Sequence, residues 1–262
     1  MPSTQTLNSP HTGKLLQNRV ALITGGSRGI GAAIAKLFAQ HGAAVGINYH
    51  SSEDAAKEVV EVINSAGGKA MKVQADVRDQ QQVVSMVAQV AEKFGAIDTL
   101  VLNANASFKI APFMEQTWED FDAKLTAEIK SAFYPCQAVI PSMLEQKNGC
   151  IIAISSITSR HADPSFSAHT TAKSAIDGFV KSLATELGPQ GIRVNAIAPG
   201  VTLTDPVSSQ PQEWLDNIAE QTPLRRNAQP EDIAGGVLLL ASEPARFITG
   251  SYLMVNGGSQ ML

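Results

Sequence analysis

The residues whose types and spacing best suit chemistry form the run Thr24-Gly25-Gly26-Ser27-Arg28-Gly29-Ile30-Gly31. It follows the short apolar run Val20-Ala21-Leu22-Ile23 and precedes a segment, 32–38, whose apolar positions recur at helical spacing. Glycines in such a strand-to-helix turn let the main chain approach a pyrophosphate, and the start of the helix offers unpaired N–H groups and the positive end of its dipole. The expected ligand is a dinucleotide held by Gly25, Ser27, Arg28, Gly29, Ile30 and Gly31. The second strand ends in Asn48-Tyr49-His50-Ser51-Ser52, where a site for the unphosphorylated cofactor places a carboxylate on the ribose 2′-OH. No acid occurs there before Glu53. A carboxylate would repel a 2′-phosphate, whereas Arg28 with Tyr49, His50 and Ser51 could hold one, so the expected cofactor is NADP(H).

Positioning that turn is the task of alternating strands and helices. Strands are expected at 44–48, 70–74, 99–102, 150–154 and 193–197, with a last one near 252–255. Helices are expected at about 53–65, 81–94, 168–188 and 231–241, and a long one at 117–146 is expected to break near Pro135 and Pro141. Residues 201–229 read as a looser segment. The nearly all-apolar strand 99–102 suits a parallel sheet covered on both faces. The fold class is therefore α/β, a Rossmann fold with a doubly wound parallel sheet of about seven strands and helices on both faces.

Bulk properties narrow the function. With 262 residues, 44% hydrophobic and 17% charged, residues 15–262 suffice for one Rossmann-type domain behind a loose polar tail, 1–14. A net charge of −4 argues against nucleic acid as a partner, and no apolar run approaches the roughly 20 residues of a membrane span. Cys136 and Cys150 lack metal-ligand spacing and read as buried reduced thiols, with no metal expected. The tail carries no signal-peptide pattern, so the expected location is the cytoplasm and the expected partner a small-molecule substrate.

Together, the glycine turn, Asp76-Val77, Asn103-Ala104, Pro199-Gly200 and the closing Asn256-Gly257-Gly258 resemble the motifs of the short-chain dehydrogenase/reductase family, over residues 18 to 262. Within the family the chain is similar to 3-oxoacyl-carrier-protein reductase-like members. The resemblance implies that Asp76 and Val77 contact the adenine and that Asn103 and Ala104 line the cofactor ribose. It also implies that the segment from Pro199 and Gly200 through Thr202 to Thr204 holds the carboxamide and pyrophosphate. It implies a homotetramer or homodimer built on the two long helices, and a lid over the substrate in the segment carrying Trp214.

The family reduces carbonyls with a serine, a tyrosine and a lysine, supported by an asparagine on a preceding helix. Ser156 and Lys173 stand at the family's spacing, and Lys173 would also hold the nicotinamide ribose, but His169 occupies the tyrosine position and Glu128 the asparagine position. Asn105 replaces the usual glycine of the Asn-Ala-Gly element. None of Tyr49, Tyr134 and Tyr252 is assigned to the site by a motif. The expected activity is an NADPH-dependent reduction of a ketone or oxoacyl substrate through an atypical Ser156-His169-Lys173 set. Imidazolium is a stronger acid than phenol, so His169 would donate the proton, with Glu128 tuning the pair. The alternative is a catalytically silent or non-redox NADP(H)-binding protein.

Overall fold

The computed structural model describes residues 13–261. All but the last two residues of the expected tail lie outside that range. The strands are β1 (Val20–Ile23), β2 (Ala44–Tyr49), β3 (Lys69–Gln74), β4 (Thr99–Leu102), β5 (Gly149–Ile154), β6 (Ile192–Pro199) and β7 (Tyr252–Val255). They form one sheet in the order β3-β2-β1-β4-β5-β6-β7, parallel throughout. Central strands β1, β4 and β5 are buried along their whole length because helices cover both faces.

On one face, α1 (Gly29–Gln40), α2 (Glu53–Ser65) and α8 (Pro230–Ala241) pack Phe38, Ile63 and Val237 against the sheet. On the other, α3 (Gln80–Phe94), α4 (Trp118–Gln146) and α5 (Ser167–Leu187) contribute Met86, Val139 and Val180. This is the expected doubly wound Rossmann architecture, and its strand order reverses between β1 and β4. A crevice opens there beyond the carboxyl ends of the strands.

Two expectations about local structure need correction. Helix α4 is continuous through Pro135 and Pro141. Each proline lacks the N–H that would bond four residues back, at Ser131 and Gln137. The buried row Ala132, Pro135, Cys136, Val139 and Met143 offsets that loss by packing the helix along its length. The segment expected to be loose holds two short helices, α6 (Asp205–Ser208) and α7 (Gln212–Gln221). Its two ends are tied where Leu203 N–H donates to Ala228 O and Ala228 N–H donates to Val201 O.

Candidate active site

A cleft of about 880 Å³ lies at the carboxyl ends of the strands. At one end is the glycine turn, which needs its glycines for space and for backbone conformation. Gly25 and Gly29 adopt φ of +60° and +52°. A Cβ on Gly31 would lie 2.4 Å from Gly25 O, so this glycine backs the turn rather than facing the cleft. Gly25 N–H donates to Asn48 Oδ1 at 3.1 Å, and Asn103 Nδ2 donates to Thr24 O and Gly25 O at 3.0 and 2.9 Å. Asn103 and Ala104 line the cleft, but the Asn103 carboxamide is spent on holding the turn. Asp79 caps α3 and Thr117 caps α4, whereas the cap residue of α1, Arg28, makes no side-chain hydrogen bond. The amino end of α1 is left for an anion, and the turn fits the pyrophosphate of a dinucleotide.

Beyond β2 and β3, the cleft wall carries His50, Ser51, Asp76 and Val77 as expected, and also Arg78, which sequence reasoning missed. Arg78 grips Asp76 with two hydrogen bonds, at 2.8 and 2.7 Å, while His50 Nε2 lies 3.9 Å from the same carboxylate. The Arg78 hydrogen bond chiefly holds the Asp76 carboxyl down at about 2, against the opposing effect of its partial burial. Glu53, the first acid after β2, is turned away into an ion pair with Lys72. Tyr49 does not line the cleft; side chains alternate along a strand, and its ring points into the core with Lys72 above it. Arg28 faces Asp205 of α6 at 3.9 Å, both largely exposed. Pro199, Gly200, Thr202 and Thr204 line the cleft, as does Trp214 of α7.

Ser156, just after β5, and His169 and Lys173 from α5 line the same cleft. Ser156 Oγ accepts hydrogen bonds from Thr158 N–H at 3.2 Å and from Thr158 Oγ1–H at 2.8 Å. Its own O–H therefore remains a donor for the cleft. Tyr252 donates from its hydroxyl to Ser156 O at 2.8 Å, bracing the serine's main chain from β7 without entering the cleft. Lys173 Nζ donates to Glu128 Oε1 at 2.6 Å and to Ile154 O at 2.8 Å.

Glu128 does not reach the cleft. It lies 2% exposed behind Lys173, and its second oxygen accepts from Lys124 Nζ at 2.6 Å. Lys124, unforeseen from the sequence, is itself 1% exposed and also donates to Asn105 Oδ1 and Ala106 O, at 2.8 and 2.9 Å. Burial alone would raise the Glu128 carboxyl, but Lys173 and Lys124 outweigh it and hold the group below its ordinary value. Both Glu128 oxygens are thus bonded to lysines, and the carboxylate's pull on His169 is outweighed. Burial first, then Lys173 and Lys124, push the His169 imidazole down to about 3. The expected imidazolium donor is corrected accordingly: at neutral pH the ring is uncharged. Phe108, also missed, stacks on that ring with centroids 4.5 Å apart.

The parallel α/β sheet, with the glycine turn, Ser156 and Lys173 lining one cleft, suits a dinucleotide-binding oxidoreductase. A family model described as Enoyl-(Acyl carrier protein) reductase matches residues 25–260. The 3-oxoacyl-[acyl-carrier-protein] reductase FabG of Staphylococcus epidermidis is 38% identical over 246 residues, 93% of this chain and 100% of the relative. A 3alpha-hydroxysteroid dehydrogenase of Mediterraneibacter gnavus is 39% identical, covering 94% of this chain and 98% of the relative. A solved short-chain dehydrogenase/reductase variant from Serratia marcescens superposes with a TM-score of 0.87 at 35% identity, covering 94% of this chain and 100% of that one. The chain belongs to the short-chain dehydrogenase/reductase family and is an oxidoreductase acting between CH–OH and C=O groups.

Proposed function

We propose that the protein is an NADP(H)-dependent reductase of a ketone or oxoacyl substrate, working through Ser156, His169 and Lys173. The observation that carries this reading is one cleft lined both by the glycine turn and by those three side chains. A reduced nicotinamide bound there would supply the hydride. Gly25, Ser27, Arg28, Gly29 and Ile30 would hold the pyrophosphate, backed by Gly31, and Lys173 with Pro199, Gly200, Thr202 and Thr204 would hold the nicotinamide half. The preference for the phosphorylated cofactor is supported by Arg28, Arg78, His50 and Ser51 on the adenine side and by the diversion of Glu53 to Lys72.

Ser156 O–H would polarise the substrate oxygen, and His169 stands where the proton must be passed. Substrates to try follow from the relatives: β-oxoacyl thioesters and bulky cyclic ketones, under a lid that offers Trp214 and Val207. We also infer a cytoplasmic homotetramer or homodimer joined through α4 and α5, with residues 15–262 acting as one domain. Phe133 of α4 is an exposed aromatic that such a face would cover, and light scattering measures the assembly.

The test is fluorescence titration with NADPH and NADH, followed by NADPH oxidation with ketones and oxoacyl thioesters. Tight NADPH binding with turnover of one carbonyl class is expected. A second reading, binding without turnover, is favoured by one observation: burial and the two lysines push the His169 imidazole down to about 3, which disfavours an imidazolium donor. NADPH binding with no oxidation by any carbonyl would establish it.

A further inference from the structure

Behind His169 lies a buried, charged side-chain cluster in which every Lys124 donor and both Glu128 oxygens are bonded. Lys124 has three N–H donors and three acceptors, Asn105 Oδ1, Ala106 O and Glu128 Oε2, all within 2.9 Å. Glu128 divides its two oxygens between Lys124 and Lys173, at 2.6 Å each. Two ammonium groups and one carboxylate leave a surplus of one positive charge, held out of water next to the imidazole. Among the described residues, the charged groups that face His169 are Lys173 on its own helix and Lys124 and Glu128 on α4. The loop after β4 brings an uncharged partner, Phe108, and its Lys109 is bonded away to Asp120.

The ring is also fixed in orientation. Phe108 stacks on it at 18°, Phe166 meets it edge-on at 6.0 Å, and Lys124 Nζ lies 5.4 Å over the far ring of this stack, Phe108. The loop that carries Phe108 is pinned to the start of α5, where Ala111 N–H donates to Ser165 O and Ser167 Oγ–H donates to Gln116 Oε1. In this orientation His169 Nδ1 is buried with no partner, which leaves Nε2 as the nitrogen that meets the cleft. A neutral imidazole places its proton on the nitrogen that can hydrogen-bond, because a buried unpaired N–H forfeits a bond to water.

We propose that Lys124 is a positioning residue that, with Phe108 and Glu128, sets His169 as a neutral imidazole whose Nε2–H donates to the substrate oxygen. This rests on the reductase reading above. The low proton affinity of the ring follows from the same burial and the same two lysines. A neutral imidazole polarises a carbonyl by hydrogen bonding, and the surplus charge behind it stabilises an oxyanion rather than a protonated ring. As the carbonyl carbon gains a hydride, the π pair of the C=O bond moves to oxygen. That oxygen takes the proton from Nε2, whose N–H electron pair stays on the ring. The imidazolate then regains a proton from water in the open cleft, so that one hydride and one solvent proton are consumed per alcohol formed.

The test is nitrogen-15 NMR of histidine-labelled, full-length protein without ligand, with the His169→Gln variant assigning the signal among the five histidines. Between pH 5 and 8 the expected spectrum is that of a neutral ring protonated on Nε2. Lys124→Met, which removes one charge at similar length, is expected to move the His169 midpoint upward. An imidazolium near pH 6 or 7, or a proton on Nδ1, overturns the proposal, and an unmoved midpoint in folded Lys124→Met overturns the part given to Lys124. Should that variant fail to fold, the wild-type spectrum still decides the charge state and tautomer. With an active substrate, turnover should not decline as pH rises through 6.5, the decline an imidazolium acid would impose. Absence of turnover with every carbonyl removes the reductase reading alone and leaves the spectrum to judge the ring.

Discussion

Replacing Glu128 with glutamine should destabilise the protein far more than a neutral, nearly isosteric change suggests. The carboxylate accepts from Lys173 and Lys124 at 2.6 Å each, and all three side chains are at most 5% exposed. An amide offers one acceptor and turns its NH2 toward the other ammonium, leaving a buried cation facing a donor. Breaking a buried pair in this way costs about 3–5 kcal/mol. At roughly 2–4 °C per kcal/mol for a chain of this size, the melting temperature should fall by about 6–20 °C. Differential scanning calorimetry of the two proteins at pH 7 measures it, and adding Lys124→Met to Glu128→Gln should recover much of the loss by removing the stranded charge. A fall under about 2 °C for the single variant would refute the buried network on which the site's electrostatics are built. The network also has a pH signature. The folded-state carboxyl titrates below its unfolded value of 4.5, so its contribution is present above that pH and is lost as the pH falls below it.

Gly31→Ala would set a Cβ 2.4 Å from Gly25 O and 2.6 Å from Asn103 Nδ2. It should cost about 1–3 kcal/mol of stability and weaken NADPH binding at least about tenfold in a fluorescence titration. The double variant Arg28→Ala, Arg78→Ala should erode the preference for NADPH over NADH by about tenfold or more, since each charge-assisted hydrogen bond contributes about 1.5–3 kcal/mol. His169 binds its proton more weakly folded than unfolded, so stability should fall as pH drops from about 6.5 toward 3, and His169→Phe should flatten that part of a urea-midpoint profile. Cys136 is fully buried, which pushes its thiol up to about 12; it should resist thiol reagents at pH 8 until the protein unfolds.

What could be read in advance was what local sequence dictates. The glycine turn and the run of apolar strands follow from period and local residue type, the family resemblance adds Ser156 and Lys173, and the structure brings the turn and these two residues to one cleft. Tyr49 was misplaced because a strand sends neighbours to opposite faces: Asn48 holds the turn while Tyr49 enters the core. Arg78 and Phe108 were missed because their roles arise only when the loops after β3 and β4 are folded against other strands and helices. Lys124 did leave a trace. It shares the inward stripe of α4 with Glu128, Ala132, Pro135, Val139 and Met143, and a lysine and a glutamate four residues apart on a buried stripe already imply an internal pair. The continuity of α4 left no such trace, because the packing that sustains it through two prolines comes from distant residues.

The interlocked cluster also limits which substitutions this chain can accept. Asparagine at 128 alone would strand Lys124 in the interior, and glycine at 105 would remove one of that lysine's three acceptors. A tyrosine at 169 would have to displace the ring that Phe108 covers at 4.5 Å. Residues in such contact do not act additively, so the cost of one substitution depends on the others. Positions 105, 108, 124, 128 and 169 are therefore expected to tolerate change together better than one at a time.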